Sequence, residues 1–242
     1  MTTLFVSDLH LHASRPAVTE CFLRFLSRTA SQAKTLYILG DLFESWIGDD
    51  APGPTGIEVG AALRRLADRG ISCSFMRGNR DFLVGRLFAD QAGLTLLPDE
   101  TVIDLHGERA LLMHGDTLCS DDHAYQRYRR IVRSPVTQAL YLALPVRGRS
   151  RIEAQLRSRS TAAYDSKPAM LMDVNQQAVA KIMQGHGVSL LIHGHTHRPA
   201  IHRFETADHQ FARRIVLGDW YEQGSVLAWT GSGPELRQIS LH

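Results

Sequence analysis

A chain of 242 residues with 44% hydrophobic composition can bury one sizeable core, and a formal net charge of +2 is too slight to indicate nucleic-acid binding by itself. It shows no internal repeat, low-complexity tract or flexible linker, no apolar stretch long enough to span a bilayer, and no basic start followed by an apolar signal core. Cys21, Cys73 and Cys119 are odd in number and widely spaced, which predicts reduced structural thiols rather than a disulfide framework or a sulfur-rich metal site.

The first apolar run, Leu4-Phe5-Val6, ends in Asp8-Leu9-His10. Leu36-Tyr37-Ile38-Leu39 ends in Gly40-Asp41, and Cys73-Ser74-Phe75-Met76 leads to Gly78-Asn79-Arg80-Asp81. Ala110-Leu111-Leu112-Met113 leads to His114-Gly115-Asp116, and Val188-Ser189-Leu190-Leu191-Ile192 to Gly194-His195-Thr196-His197. Short apolar runs of this kind predict buried strands. Five polar clusters therefore stand just past the carboxyl ends of five strands, where open α/β sheets place their ligands, and one site assembled across the sheet is expected.

Between His114 and His195 the chain is too long for an ordinary connection. It predicts helix, with Asp121 or Asp122 as a start and Tyr125, Tyr128, Ile131 and Val132 at helical spacing. The expected organisation is a single domain over 1–242 carrying a helical cap at about 121–167. Gln138-Ala139-Leu140-Tyr141-Leu142-Ala143-Leu144-Pro145-Val146 is strongly apolar and is followed by Arg147, Arg149, Arg151, Arg157 and Arg159. That pairing suits a surface meeting acyl chains and anionic headgroups, and a helical hairpin packed on itself with a solvated basic face fits the composition equally well.

The polar clusters define the chemistry. Taken singly, Asp-x-His is common in surface turns and Gly-Asp starts loops or caps helices. Two histidines two residues apart after a buried strand have little structural reason to be there. Carboxylates and imidazoles without thiolates suit Mn, Fe, Zn or Mg, and seven candidate ligands exceed what one four-coordinate ion takes. Two ions can activate water at neutral pH and orient a phosphoryl group, which points to phosphate ester chemistry. Asp41, alone at its strand end, is the candidate for a carboxylate shared by both.

Asp-x-His, Gly-Asp, Gly-Asn-x-Asp, a downstream His-Gly and Gly-His-x-His, in this order, resemble the signature of the calcineurin-like metallophosphoesterase superfamily. The resemblance spans nearly the whole chain. It implies a four-layer αββα sandwich of the α/β class, a first metal held by Asp8, His10, Asp41 and His197, and a second held by Asp41, Asn79, His114 and His195. The implied cofactor is a pair of divalent ions, Mn²⁺ foremost. Many members of the superfamily have histidine where this chain has Arg80. Arginine cannot act as a general acid but can clamp phosphate oxygens, which favours a good leaving group such as the phosphate monoester released from a diphosphate. The alternative for Arg80 is a pairing with Asp81 at a helix start.

Closer stretches resemble the lipid A branch of that superfamily: Leu39-Gly40-Asp41-Leu42-Phe43-Glu44-Ser45-Trp46-Ile47-Gly48-Asp49-Asp50, Gly78-Asn79-Arg80-Asp81-Phe82-Leu83, Met113-His114-Gly115-Asp116-Thr117-Leu118-Cys119 and Ile192-His193-Gly194-His195-Thr196-His197-Arg198-Pro199. The implied reaction is hydrolysis of the diphosphate of UDP-2,3-diacylglucosamine, with water attacking the phosphate next to uridine. The implied catalytic residues are Asp41, Asn79, Arg80, His114 and His195. Substrate contacts carried over by position are Asn79, Arg80, Asp122, Ser160, Tyr164, Lys167 and His195. The branch often has Asn at the position of Tyr164, so that residue's role is left open. Phe82, Leu83, Tyr128, Tyr141, Leu142, Ile152 and Leu156 are candidate acyl-chain walls, with plain core as the alternative. The implied location is the cytoplasmic face of a bacterial inner membrane, whose anionic surface is the expected partner, with no nucleic acid expected. The other readings are a nuclease or nucleotide phosphodiesterase of the same superfamily, and a non-catalytic binding module on the same scaffold.

Overall fold

The computed structural model describes residues 2–166, 173–206 and 211–241, with the backbone alone over 158–166. In chain order the elements are β1 (Thr3–Val6), α1 (Pro16–Arg28), β2 (Thr35–Leu39), α2 (Gly53–Ala67), β3 (Ser72–Met76), α3 (Arg86–Ala92), β4 (Leu94–Leu97), β5 (Glu100–Leu105) and β6 (Glu108–Met113). They continue as α4 (His123–Val132), α5 (Pro135–Leu142), α6 (Val146–Ser166), α7 (Gln176–His186), β7 (Leu190–His193), β8 (Ala200–Glu205), β9 (Phe211–Val216), β10 (Gln223–Thr230) and β11 (Gly233–Ser240).

The strands form two mixed sheets, ordered β11-β10-β1-β2-β3-β4 and β5-β6-β7-β9-β8. The α/β class with two sheets agrees with the expectation. The single sheet assumed for the polar clusters does not: β1, β2 and β3 belong to the first sheet, β6 and β7 to the second. Apolar periodicity registers that a strand is buried but not which sheet buries it. Alternation along the strands separates two cores. Leu4, Val6, Leu36 and Ile38 face Phe22, Phe25 and Leu63 of α1 and α2. Phe5 and Leu39, one residue out of phase, face the second sheet through Leu111, Met113 and Leu191. Val179 and Met183 of α7 join that second core. Two parallel-strand sheet centres buried on both faces explain why these runs read as continuously apolar.

The segment from α4 to α6 is built differently. Asp122 caps α4 by accepting from the Tyr125 amide, whereas Asp121 accepts from the Asn175 side-chain amide. No residue of α4 or α5 is buried. Polar clamps attach the segment to the core. Arg129 donates to Asp116 at 2.6 Å and to Asp99 at 2.9 Å, and Arg133 donates to Asp99 and to the Gly78 carbonyl. Arg149, expected with the surface arginines, is buried at 2% exposure; it donates to the Ile47 and Leu144 carbonyls and pairs with Asp50. Local charge spacing could not reveal that correction, because its partners at 47 and 50 lie about a hundred residues away in sequence. Arg147 and Arg151 are exposed. Cys21, Cys73 and Cys119 are all buried and no disulfide joins them. Among the described residues no helix is long and apolar enough to cross a membrane.

Candidate metal centre

The five polar clusters meet where the carboxyl ends of β1, β2 and β3 face those of β6 and β7. The backbone there is strained. Among the described residues six non-glycine positions have φ in the left-handed region, and five are Asp8, His10, Asp41, His195 and His197. Such conformations are costly outside glycine and persist where the surroundings impose them, characteristically at functional sites. The strand-end glycines serve close approach. A Cβ at Gly78 would stand 2.1 Å from Asp41 Oδ1, and one at Gly194 2.3 Å from Asp8 Oδ2. Either substitution would push a carboxylate out of the centre.

The donor atoms converge in two groups, Asp8 with His10 and His197, and Asp8 with Asp41 and His114. His197 Nε2 lies 3.4 Å from Asp8 Oδ1 and 3.4 Å from His10 Nε2. His10 Nε2 is 4.0 Å from Asp8 Oδ1 and 3.8 Å from Asp41 Oδ2. Asp41 turns its other oxygen, Oδ1, to 3.7 Å from His114 Nε2, which is itself 2.9 Å from Asn79 Oδ1. Ligand atoms about 2.1 Å from one ion stand about 3.0–3.4 Å from each other, so these separations suit a bound cation with small adjustments. Asp8 Oδ1 is buried without a hydrogen-bond partner, a cost that a cation would offset. The residues present therefore fit a pair of metal ions; Asp8 is common to both groups, and Asp41 turns Oδ2 toward His10 and Oδ1 toward His114. The His195 ring stands 5.1 Å from the His114 ring and its amide donates to Asp8 Oδ2 at 2.8 Å.

Electrostatics point the same way. Burial opposes ionisation of Asp8, but the His197 imidazole 3.4 Å away outweighs it and holds the carboxyl well below its usual range. His197 is raised to about 10 despite burial, because Asp219 and Asp8 flank it. Burial and the nearby His114 push His195 down to about 4. Burial and the Asp41 charge raise Asp81 to about 6. The cluster is rich in ionised carboxylate and seeks positive charge.

Arg80 does not pair with Asp81. The Asp81 carboxylate is fully buried and accepts from the amides of Gly78, Asp41, Leu42 and Phe43, tying the loops after β2 and β3 together. The Arg80 side chain remains 30% exposed, 4.0 Å from Glu44, while its amide donates to Asp41 Oδ1 at 2.8 Å. Asp122 stands at the start of α4. Ser160 and Tyr164 fall on α6 where only the backbone is described, and Lys167 lies outside the described residues. Of the candidate acyl walls, none is fully buried; Tyr128, Leu142 and Leu156 are 43%, 41% and 40% exposed, while Leu83 packs against the first core.

Several residues around the centre escape a reading by motif. Glu44 Oε2 lies 3.0 Å from His10 Nδ1, and Asp219 Oδ2 lies 3.2 Å from His197 Nδ1. Tyr221 stacks on His10 at 5.3 Å, and Tyr125 reaches from α4 to donate to Asp116 at 2.9 Å. The signal for Asp219 was present: Gly218-Asp219 follows the apolar run Ile215-Val216-Leu217, the same pattern as Gly40-Asp41 after β2.

A two-sheet sandwich with carboxylates and imidazoles gathered for two cations is the arrangement of a metallophosphoesterase. The family model described as calcineurin-like phosphoesterase matches residues 1–199, and the chain belongs to that family. Within it, the chain is 52% identical over 239 residues to a UDP-2,3-diacylglucosamine hydrolase of Enterobacter sp. (strain 638), covering 99% of both chains. It is 53% identical over 236 residues to the protein of the same name from Escherichia coli O7:K1, covering 98% of both. Similar solved structures include an archaeal phosphodiesterase (TM-score 0.49, 12% identity, 99% of both chains) and the E. coli phosphoesterase Yfce (TM-score 0.48, 18% identity, 100% of this chain and 94% of that one).

Proposed function

We propose that this chain hydrolyses the diphosphate of UDP-2,3-diacylglucosamine, releasing UMP and 2,3-diacylglucosamine 1-phosphate in lipid A biosynthesis. The observation that carries the reading is the identity of 52–53% over 98–99% of chain and relative alike, which spans the α4–α6 segment as well as the sandwich. Asp8, His10, Asp41 and His197 would hold one divalent ion, and Asp41, Asn79, His114 and His195 a second, with Mn²⁺ as the proposed metal. When bound, such a pair supplies activated water and offsets charge on the phosphoryl oxygens.

The protein's own groups do the rest. Arg80, partly exposed beside Asn79, donates to the phosphate oxygens as charge develops and needs to give up no proton, because the departing sugar phosphate is a good leaving group. Asp122, Ser160, Tyr164, Lys167 and His195 are proposed to hold the glucosamine phosphate. Tyr128, Leu142 and Leu156 are available for acyl chains because the fold leaves them uncovered. Remote contacts of this kind position the diphosphate for attack. The exposed apolar and basic faces of α4–α6 are further proposed to rest on the anionic cytoplasmic surface of the inner membrane.

Hydrolysis of UDP-2,3-diacylglucosamine by the purified protein, with and without Mn²⁺, tests the reading. Metal-dependent release of both products is expected. Cleavage of single-stranded DNA in Mn²⁺ without turnover of this substrate would replace it with the nuclease reading, and metal binding without turnover of any phosphate ester with a binding module.

A further inference from the structure

The two halves of the metal centre are supported differently. His10 and His197 both turn Nε2 toward the centre, where these atoms are 3.4 Å apart, and both turn Nδ1 toward a carboxylate. The distances are 3.0 Å to Glu44 Oε2, a charge contact in which His10 Nδ1 makes no hydrogen bond, and 3.2 Å to Asp219 Oδ2. The acids come from separate parts of the chain, Glu44 from the loop after β2 and Asp219 from the loop after β9. Both are partly buried, with side chains 20% and 25% exposed. The other half lacks such support. His114 Nδ1 faces the Leu39 carbonyl at 2.9 Å, a neutral acceptor, and no ring hydrogen bond of His195 is found among the described residues.

We propose that Glu44 and Asp219 are positioning residues that make the His10/His197 half the tighter of the two metal sites and leave the His114/His195 half exchangeable. The inference rests on the two-metal reading above. A carboxylate beside Nδ1 favours the proton on that nitrogen through its charge and leaves the Nε2 lone pair directed at the cation with raised basicity. A backbone carbonyl fixes a ring but adds no charge. Asp41 gives one oxygen to each half and Asp8 belongs to both groups, so the shared carboxylates do not separate them, whereas Glu44 and Asp219 do.

The test is a titration of the metal-free full-length protein with Mn²⁺, following free Mn²⁺ by its EPR signal. The wild type is expected to show one tight and one weaker site. Asp219→Asn and Glu44→Gln, both near-isosteric, should each weaken the tight site about 10- to 100-fold and leave the weaker one in place. Asp219→Glu should recover part of the loss, and Asn79→Ala should weaken only the other site. Circular dichroism and a single cooperative melt of the metal-free variants should show the wild-type fold, which separates positioning from a role in folding. Two equivalent sites in the wild type, or a loss shared equally by both sites in Asp219→Asn, would overturn the proposal while leaving the two-metal reading standing. A wild-type chain that binds no Mn²⁺ would overturn both.

Discussion

Leu36 and Ile38 in β2 are as apolar as Leu140 and Leu142 in α5, but the first pair is fully buried under α1 and α2, while the second is 68% and 41% exposed. The sandwich is held by apolar burial, with Trp220 and a row of leucines and phenylalanines sealed from water. The α4–α6 segment is held by guanidinium groups, through Arg129 and Arg133 on Asp99 and Asp116 and through Arg149 on Asp50 and two carbonyls. Because polar clamps do the anchoring, the segment's leucines are left over from folding. A ligand with acyl chains, or a lipid surface, is what such uncovered residues can serve.

The sharpest break of that comparison lies at the strand ends. Asp41→Ala is expected to remove bound Mn²⁺ and lower turnover by on the order of 10³-fold or more, whatever the acyl content of the substrate. Metal analysis beside kinetics checks it; activity retained with full metal occupancy would refute the shared-carboxylate assignment. Arg80→Ala should lower kcat by about 10²-fold with metal content unchanged, since the guanidinium acts on the phosphate and not on the ions.

Stability should divide along the same line. Leu36→Ala is expected to cost about 2–5 kcal/mol, the range for a sealed core leucine, and Leu140→Ser to stay within about 0.5 kcal/mol. Urea melts of the two variants measure this. Substrate dependence should divide in reverse. Leu142→Ala with Leu156→Ala should lower kcat/KM for diacylated substrate about tenfold or more and leave a UDP-sugar without chains unaffected. Equal losses on both would remove the acyl-chain role.

The smallest effect concerns the Arg149 clamp. Hydrogen bonding and charge from Arg149 hold the Asp50 carboxyl below its ordinary value near 3.8. The clamp's contribution is therefore complete above that value and is lost as pH falls below it. Hydrogen-exchange protection in α5 and the start of α6, taken relative to the intrinsic exchange rate at each pH, should fall in acid, and Asp50→Asn should flatten that pH dependence. Unchanged exchange in the variant would show that the carbonyl contacts of Arg149 suffice.

The strands, their polar ends and the helical character of α4 were legible because each leaves a local trace: an apolar run, a ligand pair, a 3.6-residue spacing. The division of β1–β3 and β6–β7 between two sheets was not, since a strand buried on both faces reads alike in either. Nor was the burial of Arg149, the Asp81 clamp on four amides, or the approach of Glu44 and Asp219 to the histidines. These depend on chain segments that meet only after folding, and a single charged residue carries no sign of its partner. The left-handed backbone at Asp8, His10, Asp41, His195 and His197 is equally silent in sequence, because glycine, which announces such conformations, is absent at those positions.

The most direct test of the central claim is to run the reaction on UDP-2,3-diacylglucosamine in ¹⁸O water and find the label by mass spectrometry. The account predicts label in UMP, because water attacks the phosphorus next to uridine and the sugar phosphate departs. Label in 2,3-diacylglucosamine 1-phosphate would reverse the direction of attack and contradict the leaving-group role argued from Arg80.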